Sequence, residues 1–222
     1  MPKIANEKEK NIKYGISLNT EQAEGKGLIL ENKISYISSK SGSGKTLLAC
    51  QVALDLLFKK KVEKIVITRP TVTAGSDIGY LPGDMKEKLD PYLQAIYQNF
   101  YLLYNKEKID KLLGDGTIEI IPFCFMRGRT FLNSLVIVDE IQNCKVMETK
   151  MVLERVGRES KMILCGDKDQ IDLPKNIQSG VEFLDYINDA GIKNFVKIEL
   201  KTNHRDPIVD DILNLYESFK NK

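Results

Sequence analysis

Six short apolar runs rich in β-branched residues punctuate the 222-residue chain: ISYIS (34–38), KIVIT (64–68), TIEII (117–121), LVIVD (135–139), KMILC (161–165) and VKIEL (196–200). Most are nearly continuous rather than alternating, which is the pattern of strands covered on both faces and hence of a parallel sheet. Helical segments separate them. One runs from the end of SSKSGSGKT (38–46) through LLACQVALDLLF, and another starts near Asp84, where DMKE places Glu87 in capping-box spacing. Others are expected over 146–156, 179–189 and 207–219. Repeated β-α-β units with right-handed crossovers predict one α/β domain with a mainly parallel sheet and helices on both faces. Residues 1–14 read as a flexible charged tail, and 15–222 as a single domain. The longest irregular stretch, RPTVTAGSDIGYLPG (69–83), has a length more often functional than idle.

Charge nearly cancels, with 33 Lys+Arg against 31 Asp+Glu for a net of +2, which argues against a dedicated polyelectrolyte binder and leaves room for a local basic stripe. The four cysteines, Cys50, Cys124, Cys144 and Cys165, form no C-x-x-C pair, so a zinc site is not expected and a reducing compartment is the simplest setting. No apolar run approaches the roughly 20 residues of a membrane span, and the N-terminus has no apolar signal core. A soluble, cytoplasmic protein is expected.

The stretch SSKSGSGKT follows one strand run and precedes a helix, the context that a phosphate-binding loop requires. The usual pattern is G-x-x-x-x-G-K-[ST], and its first glycine falls here on Ser39. Gly42 and Gly44 let the backbone curl so that N–H groups converge on an anion, aided by the helix N-terminus. Lys45 would neutralise the β- and γ-phosphates, and the Thr46 hydroxyl would face Mg²⁺. Ser39, Lys40, Ser41, Gly42, Ser43, Gly44, Lys45, Thr46 and Leu47 are the candidate nucleotide contacts. An ordinary Ser/Gly turn before a helix is the alternative for this stretch alone.

In LVIVDEIQN (135–143) a strand ends in two carboxylates at the carboxyl edge of the sheet, where open α/β sheets bind ligands. Asp139 is the candidate metal residue, and Glu140 the candidate base that orients or deprotonates a water. A third strand, KMILC, runs into Gly166 and Asp167, with Gln170 three residues later as a γ-phosphate-sensing amide. Each could be a solvated turn on its own; three strand ends in one sheet support one another.

The phosphate loop, ITRPTVTAGSDIGYLPGDMKEKLDPYL, FMRGRTF, VDEIQN, SKMILCGDKDQIDLP and the Ser179-Gly180 pair occur in the same order in PhoH-like ATPases, which the chain resembles over roughly residues 17–218. That family is named for phosphate-starvation-inducible proteins and carries one RecA-like core related to superfamily 1 helicases. The chain departs from it at Ser39, at Ile141 where Ala is common, and at NHRDPIV (203–209), where a V-R-H type is commoner.

The resemblance implies further roles. Gln22, in LNTEQ, would read the adenine edge; a polar helix start is an equal reading. Thr68, Arg69 and Pro70 fall where helicases have a nucleic-acid-facing motif. Arg127 is offered to nucleic acid and Arg129 to the nucleotide, while a structural pair binding carboxylates or helix carbonyls is an equal reading. Arg205 would bring a catalytic guanidinium to the nucleotide. Its neighbour His204, the only histidine, reads as a hydrogen-bonded structural residue.

Together these imply an ATPase using ATP and Mg²⁺, with Lys45, Glu140, Gln170 and Arg205 in the catalytic roles. Single-stranded nucleic acid, RNA favoured over DNA, is the implied partner. A single RecA-like domain lacks the second domain from which two-domain helicases take an arginine, so a homo-oligomer such as a hexameric ring is expected to complete the site. The rivals are a nucleoside kinase of thymidine-kinase type, which would usually carry a zinc-binding cysteine cluster, and a nucleotide-binding switch that does not hydrolyse.

Overall fold

The computed structural model describes residues 12–70, 94 and 96–220. The helix expected near Asp84 and nearly all of the stretch 69–83 lie outside these residues. Six strands form one sheet: β1 (Ile34–Ser38), β2 (Lys64–Arg69), β3 (Ile118–Pro122), β4 (Ser134–Val138), β5 (Lys161–Gly166) and β6 (Phe195–Glu199). The order is β3-β2-β4-β5-β1-β6, with every neighbouring pair parallel. The expected strands recur within about one residue at their ends, as boundary assignments allow.

The continuity of the apolar runs has a direct structural cause. In β4, Leu135 and Ile137 enter one core while Val136 and Val138 enter another. Strand β5 divides in the same way, Ile163 and Cys165 against Met162 and Leu164. Successive side chains point to opposite faces, and both faces are covered, so each position must be apolar. Fully burying an Ile, Leu or Val contributes about 1.5–3 kcal/mol, and both inner faces are lined with them.

The first core lies under α1 (Thr20–Glu31), α2 (Lys45–Phe58), the helical residues 96–103 and the helix Lys106–Gly114. The second lies under the helices Val146–Leu153 and Gly180–Asp189. This is the RecA-like α/β arrangement, with β5 inserted between the strand that feeds the phosphate loop and the strand that ends in the acidic pair.

Helix α1 was legible only at its start. Asn19 accepts from Gln22 N at 2.8 Å, and Gln22 Oε1 accepts from Asn19 N at 3.2 Å, a reciprocal cap. Gly25 then lets α1 close on the sheet, since a Cβ there would meet Ile198 Cγ2 at 3.2 Å. Tyr14, read as part of the tail, belongs to the folded body. Its hydroxyl donates to Asp55 Oδ1 of α2 at 3.0 Å, and its ring meets Tyr104 edge-on. Cys50, Cys144 and Cys165 are buried among apolar side chains, and burial pushes their thiols up. None of the described helices is long and apolar enough to cross a membrane.

A candidate nucleotide site at the carboxyl edge of the sheet

The phosphate loop leaves β1 and is anchored at once, Ser39 N donating to Gly166 O of the neighbouring β5 at 3.1 Å. Gly42 and Gly44 take φ of 89° and 79°, left-handed values that favour glycine. Gly44 caps α2 without a side chain, so the first-turn N–H groups of that helix point into the loop unclaimed by a capping oxygen. The buried Lys45 donates its ammonium to Ser39 O at 3.1 Å and Lys40 O at 3.4 Å. Ser39 needs no glycine: its φ is not positive, and its hydroxyl lies 2.5 Å from Ser43 Oγ, bracing the loop across its base.

The acidic pair follows β4. Thr46 Oγ1 donates to Asp139 Oδ1 at 2.9 Å, which brings the first turn of α2 onto the sheet edge. Asp139 is buried; burial, and then the adjacent Glu140 charge, push its carboxyl up, against the pull of Arg69, Thr46 and Lys45. A hydroxyl beside a carboxylate is a hard-oxygen donor set suited to Mg²⁺, and a buried carboxyl held up by desolvation is one that a cation would stabilise in its charged form. The residues present therefore fit that ion.

Glu140 adopts a left-handed φ of 55°, a conformation that costs a side-chain-bearing residue roughly 1–3 kcal/mol and is held by its surroundings. Its Oε2 accepts from Gln142 Nε2 at 2.5 Å, and its Oε1 faces Arg69 Nη2 at 3.5 Å. Gln142 is fully buried and is the centre of this edge. Its Oε1 accepts from Asp167 N at 3.1 Å, and its Nε2 also reaches Gln170 O at 3.3 Å. Sequence reasoning missed it; the available signal was an amide directly after the apolar Ile141, where an exposed turn would not need one. Gln170 contributes its backbone here, and its side chain is exposed. The Ser179-Gly180 pair supports this segment from below: Ser179 Oγ donates to Gln142 O at 2.6 Å, and Gly180 N donates to Cys144 O at 2.7 Å.

The segment after β6 folds across the mouth of the loop. Glu21 of α1 accepts from Lys201 N, from Thr202 N at 3.2 Å and from Thr202 Oγ1 at 2.7 Å. His204 N donates to Gly42 O at 3.0 Å, and the His204 ring nitrogen Nε2 lies 3.2 Å from Asn19 Nδ2 and 3.4 Å from Gln22 Nε2. Gln22 Nε2 in turn donates to Ser43 O at 3.1 Å, and Arg205 Nη2 reaches Ser41 Oγ. Gln22 and Arg205 are thus brought to the loop, and His204 has the hydrogen-bonded role expected of it.

Other expected contacts are not brought there. Arg129 is held by Glu119 on β3, with Nη1–Oε1 at 2.9 Å and Nη2–Oε2 at 3.0 Å, and stacks on Phe131. The Arg129 guanidinium, ahead of Lys64, draws the Glu119 carboxyl down to about 2 against the opposing effect of burial. The structural reading of Arg129 prevails over the nucleotide contact. Thr68 is fully buried, and its hydroxyl has no hydrogen-bond partner among the described residues, so it cannot reach a polymer. Leu47 packs partly into the first core, and Lys40 sits on the rim, 3.4 Å from Asp169. Arg69 and Pro70 are half-buried at the end of β2, and Arg127 is exposed.

A phosphate loop, a Thr–Asp pair and a positioned glutamate at the carboxyl edge of a six-stranded parallel sheet define a P-loop NTPase. The chain belongs to the PhoH-like protein family, whose model matches residues 16–217. It is 39% identical over 194 residues to a PhoH-like protein of Synechocystis, covering 87% of this chain and 59% of the relative. Similarity to a PhoH-like protein of Bacillus subtilis is 39% over 198 residues, covering 88% of this chain and 62% of the relative. The chain therefore spans little more than half the length of these relatives. Among solved structures, the Pif1 helicase of Candida albicans aligns over 90% of this chain and 43% of its own, at 17% identity and a TM-score of 0.49.

Proposed function

We propose that this chain binds ATP with Mg²⁺ and hydrolyses it. The observation that carries the reading is the convergence of Lys45, the Thr46–Asp139 pair and Glu140, fixed by the buried Gln142, on one edge of the sheet. In this reading the loop N–H groups and Lys45 hold the β- and γ-phosphates, and Thr46 and Asp139 hold the ion. Mg²⁺, when bound, supplies positive charge against the phosphate oxygens. Glu140 accepts the proton of a water that attacks the γ-phosphorus as the bond to the ADP oxygen breaks. Arg205, already at Ser41, offsets charge on the transferring group, and Gln22 faces the base.

The reading extends to single-stranded nucleic acid as partner, RNA favoured over DNA, with Arg69, Pro70 and Arg127 as contacts, and to a cytoplasmic homo-oligomer such as a hexameric ring. Arg205 is a source of arginine within the chain, and a neighbouring copy would supply another. Phosphate release from Mg·ATP, measured at rising protein concentration with and without single-stranded RNA or DNA, tests all of this. Lys45→Ala and Glu140→Gln should both abolish turnover. ATP binding with no release under any condition would replace the ATPase with a non-hydrolysing switch.

A further inference from the structure

We propose that Arg69 is a positioning residue that acts on Glu140 and is shared between the catalytic carboxylate and a bound polymer, so that nucleic acid frees Glu140 by taking its cation. The inference rests on the hydrolysis reading above and adds how the polymer would reach that site.

The two oxygens of Glu140 are held differently. Oε2 is bonded to Gln142, whose side chain is completely buried and locked to Asp167 N and Gln170 O. Oε1 faces Arg69 Nη2 at 3.5 Å, and this side chain is partly open to solvent, 34% exposed. One oxygen therefore has a rigid partner and the other a displaceable one. A water poised for attack must donate to a carboxylate oxygen, and Arg69 occupies the approach to the oxygen that Gln142 does not hold.

A partly exposed ion pair at this separation is weak, and a phosphodiester is a strong competitor, because a guanidinium can meet it with two parallel charge-assisted hydrogen bonds. The surroundings suit a phosphate-bearing strand. Arg69 pairs in register with Pro122, the last residue of β3. The segment leaving Pro122 carries Phe125, 50% exposed, and then Arg127, exposed and without an ion pair or hydrogen bond among the described residues. Cations interleaved with an open aromatic ring are what a single strand uses for phosphate contact and base stacking. Polymer and Glu140 thus compete for one side chain, and such coupling works in both directions: loss of the Glu140 charge must strengthen polymer binding.

Two measurements on the full chain test this. The first is phosphate release by wild type, Arg69→Ala and Arg69→Lys, with kcat and KM for ATP determined separately, with and without oligouridylate or oligothymidylate. Arg69→Ala should raise the unstimulated kcat about two- to fivefold, the scale of a weak, partly exposed ion pair, leave KM unchanged and lose stimulation by either polymer; Arg69→Lys should keep part of it. An unstimulated kcat at or below wild type with stimulation intact overturns the proposal. The second measurement needs no hydrolysis: anisotropy of the same labelled oligonucleotides should show Glu140→Gln binding about two- to fivefold tighter than wild type and Arg69→Ala weaker. Unchanged affinity in Glu140→Gln, or no binding by wild type, overturns the proposal. Tighter binding by Glu140→Gln, with no phosphate release by wild type under any condition, would sink the ATPase reading and leave the competition for Arg69 standing.

Discussion

Thr46 Oγ1 donates to Asp139 Oδ1 across 2.9 Å, joining the first turn of α2 to the end of β4 over 93 positions of sequence. Two groups that serve one ion act as a unit, and their removal is not additive. Thr46→Val and Asp139→Asn should each lower kcat about 100-fold, with the double variant little worse than either. Phosphate release over a Mg²⁺ titration measures the cycle. Independent, multiplying losses would show that the pair does not share an ion.

Ser39 stands where the phosphate-loop pattern has glycine, yet restoring glycine should not help. The position has no positive φ for glycine to relieve, and the Ser39–Ser43 hydroxyl contact at 2.5 Å would be lost. Ser39→Gly should destabilise the fold by about 1 kcal/mol through unfolded-chain entropy and the missing hydrogen bond. A shifted midpoint in denaturant unfolding, at unchanged slope, is the expected result.

Gly180 opens the helix Gly180–Asp189, where propensity alone would favour alanine. A Cβ there would sit 1.8 Å from Thr149 Oγ1, inside the contact between this helix and Val146–Leu153. Gly180→Ala should therefore cost about 2–3 kcal/mol, the scale of overpacking in a closed core. The displacement would pass through Ser179 to Gln142, so turnover should fall along with thermal stability. A variant as stable as wild type would refute the packing argument.

The Glu119–Arg129 pair predicts an acid-dependent stability. The Arg129 guanidinium holds the folded Glu119 carboxyl down at about 2, against an ordinary value of 4.5. Between these values the unfolded chain binds the extra proton, so this contribution is complete above about pH 4.5 and is lost as pH falls towards about 2. Both partners are partly exposed, which screens the pair to about 1 kcal/mol. Wild type should exceed Glu119→Gln by that amount in chemical denaturation at neutral pH, and the two should converge in acid. Parallel pH profiles would contradict it.

The sequence by itself determined the parallel sheet, its two covered faces and the ends of three strands where chemistry gathers. Those are local properties: apolar continuity over five residues, glycines at fixed offsets in a loop, carboxylates at a strand end. Tertiary structure alone decided which polar side chains serve the site. Arg127 and Arg129 flank the same glycine, and only the position of Glu119 on β3 turned Arg129 into a structural brace. Thr68 and Arg69 are adjacent, but the pleat buries one fully and leaves the other partly open. Gln142 became the centre of the edge because it meets Glu140, Asp167 and Gln170 at once, and residues 201–205 became its opposite wall through Glu21 and Gly42. A side chain's partner depends on which distant backbone folds beside it, and neither periodicity nor motif spacing encodes that distance.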